Sequence, residues 1–279
     1  MNNLFEDNKC YKKELMQFDS GLYDESIDCT YILYLEGNND RYLKLMEQIK
    51  KYPLTKNVYL VRNKGYKKCK KSNKIKNSAN DCINSHYEVY VHAELNEFNN
   101  IAILEDDFIF DKDIDNEENI NAINSFLNKK KDTNFIYLFG CISYLVNKVD
   151  FYNYEVFNFG GAHTYVISKK CRQQIVNQDR DQFIKLSYFE ARLQTNANNV
   201  YMFYKPLSYQ TFPDTENRKV WSTMYGKARN FIYLNGIKVL KLDTQVQPGY
   251  NIIYFLSKLL PIIGVIVFLL IFIWLRKKL

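Results

Sequence analysis

An α/β fold built on a mixed, mostly parallel sheet, followed by one C-terminal transmembrane helix, is what three features of this 279-residue sequence predict. The first is a strand, helix, strand alternation at residues 30–61, the unit from which parallel sheets are assembled. The second is the continued exchange of short apolar runs with helix-period segments as far as residue 204. The third is an unbroken apolar run at 259–275, extended backward across Ser257 and Lys258 by residues 252–256 and closed by Arg276-Lys277-Lys278.

Taken in order, residues 1–28 are polar and mixed in charge, and read as a loosely attached lead-in. Residues 30–35 form the first strand. Glu36-Gly37-Asn38-Asn39-Asp40 is a turn in which Asn39 or Asp40 offers a helix cap. Leu43, Met46 and Ile49 follow at helical spacing, and 57–61 is the next strand. Seven lysines between Lys64 and Lys76, with Gly65, Ser72 and Asn73, mark an exposed loop. It is either a solvated loop or a flap that meets a diphosphate or an anionic lipid surface. A helix is predicted at 81–97 with Asp81 as cap, then a strand at 101–107 and a polar helix at 117–131. Strands at 135–139, 155–159 and 164–168, helices at 169–176 and 188–195, and a strand at 200–204 complete the alternation. After Pro213 the chain is irregular until 231–240, and no Pro/Gly/Ser-rich linker divides residues 28–240. The organisation expected is a lead-in at 1–28, one domain at 29–240, a juxtamembrane linker at 241–251, the transmembrane helix at 252–275 and a basic tail at 276–279.

With 47% apolar and 16% aromatic residues the chain can bury a large core, which excludes disorder for most of it. The formal charge of +7, from 38 Lys+Arg against 31 Asp+Glu, is too evenly opposed for a uniformly basic surface. No nucleic-acid partner is expected, because no helix-turn-helix, zinc-finger or RNP-like pattern is present. Cys10, Cys29, Cys69, Cys82, Cys141 and Cys171 show no CxxC or zinc spacing, and read as free thiols in a reducing compartment. Residues 1–7 carry neither a basic n-region nor an apolar h-region. The simplest expectation is a single-pass, C-terminally anchored membrane protein with a cytosolic domain. Tyr254 and Trp274 suit interfacial anchoring, and Lys241 and Lys258 on one side against Arg276, Lys277 and Lys278 on the other leave orientation open.

The chemistry concentrates at Glu105-Asp106-Asp107, three acids at the carboxyl end of a buried apolar strand. Carboxylates there are costly without a cation or strong donors, and open α/β sheets bind ligands at that end. Strand alternation would place Glu105 and Asp107 on one side and Asp106 on the other. Mg²⁺ or Mn²⁺ held by one or two carboxylates, with substrate phosphates completing the shell, is the chemistry such acids support. Asp81, Cys82, Ser85 and His86 share neighbouring turns of one helix face. Gly160-Gly161 permits close approach to a ligand, or simply a tight strand turn.

In order, Asn39-Asp40-Arg41, Cys82-x-x-Ser85-His86, Ile103-Leu104-Glu105-Asp106-Asp107, Phe135-Ile136-Tyr137-Leu138-Phe139-Gly140, Gly161-Ala162-His163-Thr164-Tyr165-Val166-Ile167-Ser168 and Lys205-Pro206-Leu207-Ser208-Tyr209-Gln210 resemble glycosyltransferase family 25. That family contains lipooligosaccharide and procollagen galactosyltransferases and relatives in giant viruses. The resemblance runs from about residue 30 to 222. It implies a GT-A type fold, a UDP-sugar donor, Mn²⁺ or Mg²⁺, and inverting transfer of galactose or glucose to a hydroxyl of a glycan, lipid or protein acceptor. By the same resemblance Glu105, Asp106 and Asp107 match the metal-binding acids. Ser85 and His86 match a Ser-His pair, Arg41 an arginine near nucleotide or a structural carboxylate, and Gly161 and Thr164 a segment bordering donor or acceptor. Glu190 stands where relatives often carry an aspartate and is the expected general base, with Asp179 and Asp181 as alternatives. His163 is either a proton donor to the leaving phosphate or a core histidine. Leu35-Glu36-Gly37 and Asp81-Cys82 depart from the family pattern, and the first of these departures bears on base recognition and donor choice. The rivals are an inactive membrane-tethered glycan-binding scaffold and another metal-dependent nucleotidyl or phosphoryl transferase. The abundance of Asn, Lys, Ile and Tyr also fits an AT-rich genome, as in a virus or protist.

Overall fold

A computed structural model describes residues 9–185, 189–213, 226–246 and 249–276. The start of the lead-in, most of the stretch after Pro213 and the last three residues of the basic tail lie outside the described residues. The strands are β1 (Tyr11–Gln17), β2 (Cys29–Leu35), β3 (Asn57–Asn63), β4 (Ile101–Glu105), β5 (Phe108–Phe110), β6 (Phe135–Lys148), β7 (Asn153–Ile167), β8 (Asn199–Phe203) and β9 (Ser208–Gln210). The helices are α1 (Asn39–Lys51), α2 (Ser78–Leu95), α3 (Glu117–Lys130), α4 (Lys169–Val176), α5 (Arg180–Ile184), α6 (Phe189–Asn196), α7 (Lys227–Val239) and α8 (Gly249–Arg276).

Seven strands form one mixed sheet in the order β1-β3-β2-β4-β7-β6-β8, and β5 pairs with β9 in a small ribbon. β2 runs parallel to β3 and β4, and β6 parallel to β8, while β1 and β7 run against their neighbours. β2 and the first four residues of β4 are buried on both faces, which is why they read as continuous apolar runs rather than alternating ones. Alternate residues serve opposite layers. Tyr31, Leu33, Ile101, Ile103, Leu138 and Tyr165 pack with α2 and α4–α6. Ile32, Tyr34, Ala102, Leu104, Tyr137 and Val166 pack with α1 and α3. The result is a three-layer α/β/α core.

Several expectations are corrected. The lead-in is part of the domain: β1 lies antiparallel on β3 at the sheet edge, and Tyr23 and Ile27 are buried. Its sequence, YKKELMQ, disguises an edge strand with one solvated face. Cys10 and Cys69 are joined by a disulfide, and Cys29, Cys82, Cys141 and Cys171 are free. The β1–β3 register explains the pairing, since Tyr11 opposite Asn63 brings Cys10 to the root of the lysine-rich loop. α1 is capped by the Asn38 side chain, and α2 begins at Ser78 under an Asn77 cap, so Asp81 falls inside its first turn. Residues 135–139 and 155–168 belong to one long β6–β7 hairpin whose register shifts near Gly140, Ile142 and Leu145. The juxtamembrane stretch is not a free linker, because Leu242 and Val246 pack with Ile142, Phe212 and Ile237.

Gly140 marks the closest backbone approach in this region: a Cβ there would lie 2.0 Å from the Ser208 carbonyl oxygen. Gly140→Ala is therefore expected to cost about 2–3 kcal/mol through forced backbone shift. Urea unfolding at unchanged m-value would show it as a lower midpoint.

Beyond the domain, Phe255–Arg276 is one helix long and apolar enough to cross a membrane. Its large apolar side chains are nearly all exposed. At ~1.5 Å per residue it spans about 33 Å, matching the hydrocarbon core of a bilayer. The start of α8 packs on β6, and the Lys258 ammonium donates to the Tyr154 hydroxyl at 3.2 Å.

Candidate active site

A cavity of about 340 Å³ opens at the carboxyl ends of β2, β3 and β4, where an open α/β sheet binds its ligand. Leu35, Glu36 and Arg41 form one wall, and Lys64 to Lys68 of the lysine-rich loop another. Cys82 and Ser85 of α2, Gln210 and Phe212, and all three acids complete it. β4 ends at Glu105 and a turn carries Asp106 and Asp107. Strand alternation therefore stops one residue too early to separate the carboxylates, and all three line the cavity.

The acids have different partners. Asp106 accepts from Arg41 Nη1 at 2.7 Å and from the Leu35 amide at 3.1 Å, so it ties the first turn of α1 to the end of β2. Asp107 accepts from Gln210 Nε2 on both oxygens, at 3.2 and 3.0 Å, while its carbonyl takes the Thr211 amide at 2.9 Å. Glu105 Oε1 lies 3.2 Å from His86 Nε2 and 3.8 Å from Cys82 Sγ. Burial, then the nearby Glu190 and Asp106 charges, push the Glu105 carboxyl up to about 8. Burial, then Glu105 and Asp106, push Asp107 up to about 8. His86 is fully buried, and desolvation lowers it to about 3, so its imidazole is neutral. Its other nitrogen lies 2.8 Å from the Tyr165 hydroxyl, itself 2.5 Å from that of Tyr90. That chain fixes the ring and aims Nε2 at Glu105.

The donor set fits a divalent cation. Ligand atoms of Cys82, His86 and Glu105 all lie within 4.8 Å of one another. Among the described residues no lysine or arginine is in ion-pair range of Glu105 or Asp107. Burial first, and then the charges of neighbouring acids, raise both carboxyls, and a bound cation would oppose both effects. Carboxylate oxygens favour Mg²⁺ or Mn²⁺, and a thiol and imidazole beside them add softer ligands.

The stability consequence has a definite sign. Folded Glu105 and Asp107 keep their protons to about 8, whereas an unfolded chain releases them near ~4. Between those pH values the unfolded state binds fewer protons, so stability falls as pH rises. The metal-free protein is expected to lose stability steadily between about pH 4 and pH 8, read as a falling Tm. Glu105→Gln should flatten part of that slope, and Mn²⁺ at the alkaline end should raise Tm. A Tm that climbs over this range would contradict it.

The remaining expected residues divide. Ser85 borders the cavity, accepting from Asn63 Nδ2 at 2.9 Å and donating to the Asp81 carbonyl at 2.9 Å. Gly161 holds φ +81° and donates its amide to Glu190 Oε1 at 3.1 Å, which places Glu190 beside Glu105. Thr164 and His163 are buried behind the cavity, both against the Ser208 hydroxyl, His163 Nε2 at 3.3 Å. Burial lowers His163 to about 4. Asp179 caps α5 by accepting from the Asp181 amide at 2.8 Å. The lysine-rich loop is half wall and half core: Lys64, Lys67 and Lys68 line the cavity, while Lys71 is buried on Asp81. The sequence offers Gln210 only within the Lys205–Gln210 segment of the resemblance, with no role; its grip on Asp107 follows from the β5–β9 pairing of Phe108 with Gln210.

In class the chain is a glycosyltransferase. It belongs to glycosyltransferase family 25 (LPS biosynthesis protein), whose family model matches residues 47–194, from within α1 to α6. That span contains Ser85, His86, Glu105 to Asp107, Gly161 and Glu190. No curated protein matches the chain in sequence. Among solved structures it is similar to A197 from STIV, at 12% identity over 67% of this chain and 85% of that one, with a TM-score of 0.41. It is also similar to a UDP-glucose pyrophosphorylase complexed with UDP-glucose, at 10% identity over 74% and 81%, with a TM-score of 0.35. A UTP-bound UGPase from Acinetobacter baumannii gives 12% identity over 80% and 82%, with a TM-score of 0.35.

Proposed function

We propose that this chain is a membrane-anchored, metal-dependent inverting hexosyltransferase that moves galactose or glucose from a UDP-sugar to a hydroxyl of a glycan, lipid or protein acceptor. The observation that carries the reading is the meeting of Glu105, Asp107 and the Lys64–Lys68 wall in one cavity at the end of parallel strands. Glu105 would hold Mn²⁺ or Mg²⁺ together with Cys82 and His86, whose ligand atoms lie within 4.8 Å of its own, and Asp107 would add a carboxylate from the same cavity. A bound cation supplies charge neutralisation for the departing nucleoside diphosphate.

The chain's own groups do the rest. Lys64, Lys67 and Lys68 face the same phosphates from the loop, and Asp106 orients Arg41 toward the cavity rim. Neutral His86 positions Glu105. Glu190, held by the Gly161 amide, takes the acceptor hydroxyl's proton as that oxygen bonds to the sugar's anomeric carbon and the bond to the diphosphate breaks on the opposite face. Thr164 and His163 support the cavity from behind through Ser208. The Cys10–Cys69 disulfide suits an oxidising compartment. It favours a domain on the non-cytosolic face over the cytosolic one expected from the amino terminus, with Arg276 on the cytosolic side.

Donor hydrolysis by the full chain in detergent, across a panel of nucleotide sugars with and without Mn²⁺, tests the reading. Metal-stimulated hydrolysis of one UDP-hexose is expected. If no donor is hydrolysed or protects the protein against heat, the inactive glycan-binding scaffold is the better description.

A further inference from the structure

Two elements outside the cavity expose large apolar side chains next to the root of α8. One is the turn of the β6–β7 hairpin, where Phe151 is 74% exposed and Val149 42%, with the Lys148 ammonium 5.6 Å from the centre of the Phe151 ring. The other is α7, where Phe231, Ile232 and Val239 are 69%, 71% and 78% exposed. At 100° per residue those three fall on one stripe, and Ile237 falls on the opposite side, packed in a cluster with Ile142 and Phe212. Exposed Lys227 and Lys238 border the stripe along one edge.

Both elements are tied to the membrane span. Tyr154, in the same hairpin, holds Lys258, three residues into Phe255–Arg276. Leu242 and Val246, which lead from α7 into α8, share the α7 cluster on Ile142. Aromatic and aliphatic side chains with lysines beside them, next to the start of an apolar span, have the make-up of an interfacial element on an anionic membrane. Left in water, so much apolar surface on a small hairpin turn and one helix face would be an aggregation liability.

We propose that the β6–β7 turn and the exposed stripe of α7 rest in the lipid headgroup region of the membrane that α8 crosses. This rests on the membrane-anchor reading above and extends it: the domain is seated on the bilayer, not merely tethered to it. Phe212 belongs both to the α7 cluster and to the cavity wall, so the seat also fixes one side of the cavity relative to the membrane.

The test reconstitutes the full chain in vesicles of phosphatidylcholine and phosphatidylserine doped with a lipid carrying a photoactivatable group near its headgroup. Adducts are then mapped by mass spectrometry. Adducts are expected at Phe151 and at Phe231 and Ile232, in addition to the ends of α8. They should be lost from the respective segment in Phe151→Ser and Phe231→Ser, neither of which touches the cavity, while donor hydrolysis in detergent stays at the parent level. Adducts confined to α8 would overturn the proposal and leave the anchor standing. An unlabelled α8 would remove the anchor and the proposal together. Protein-to-protein cross-links at Phe151 or Phe231 in place of lipid adducts would assign the surface to a second copy and overturn it.

Discussion

Asp107→Asn is expected to lower sugar transfer by about 100- to 1000-fold, the range found when one preorganised charge-stabilising group is lost from a transferase or hydrolase site. The substitution keeps the volume and still offers an oxygen to Gln210 Nε2, so the turn between β4 and β5 should hold its shape. What it removes is an acid that must give up its proton to take a cation, in a cavity where burial and the neighbouring Glu105 and Asp106 charges oppose that loss. The Mn²⁺ concentration needed for half-maximal rate should rise sharply, while the Tm of the metal-free protein should stay level or increase, since a buried acid that resists ionisation has been replaced by an amide. Asp106→Asn should behave differently. Its carboxylate is engaged by Arg41 and the Leu35 amide, so its loss loosens α1 and the cavity rim and shows first in donor KM. Initial rates across a Mn²⁺ series separate the two. Wild-type turnover and metal response in the Asp107 variant would remove the acid from the metal site.

The contrast between these neighbouring acids shows how far the sequence reaches. β2 and β4 are buried on both faces and announce themselves as apolar runs, and parallel strands then place Glu105 at the ligand-binding end of the sheet. Strand alternation alone would split Asp106 from Asp107, but the strand stops at Glu105 and the turn decides instead. Asp106 is set apart by its partner Arg41, a contact across 65 residues that no local pattern encodes. The same reason hides the Cys10–Cys69 bridge, which depends on the β1–β3 register, and the long β6–β7 hairpin, whose glycines and register shifts break the apolar pattern into shorter pieces. The acids stand out in the sequence at the end of a buried strand and Ser85 and His86 on one helix face, and the resemblance in segment order joins them into one site. Their physical relation, with His86 fixed by Tyr165 and aimed at Glu105, is a property of α2 packing beneath the sheet.

Glu190→Gln is expected to lower the rate of transfer by about 100- to 10,000-fold, the contribution typical of a positioned general base. Glutamine can still accept the Gly161 amide, so α6 and the positive-φ bend at Gly161 should persist, and donor KM should move little. A second readout distinguishes catalysis from support. The Glu190 charge is, after burial, the largest influence holding the Glu105 carboxyl protonated. With that charge gone, Glu105 ionises at lower pH, and because a cation binds the carboxylate and not the acid, Mn²⁺ affinity near neutral pH should rise or hold steady while turnover collapses. Tighter or unchanged metal binding together with lost transfer is the signature of a base that takes the acceptor's proton. Weakened Mn²⁺ binding with transfer retained would instead make Glu190 part of the cation's shell, and the proton would then have to leave through another group.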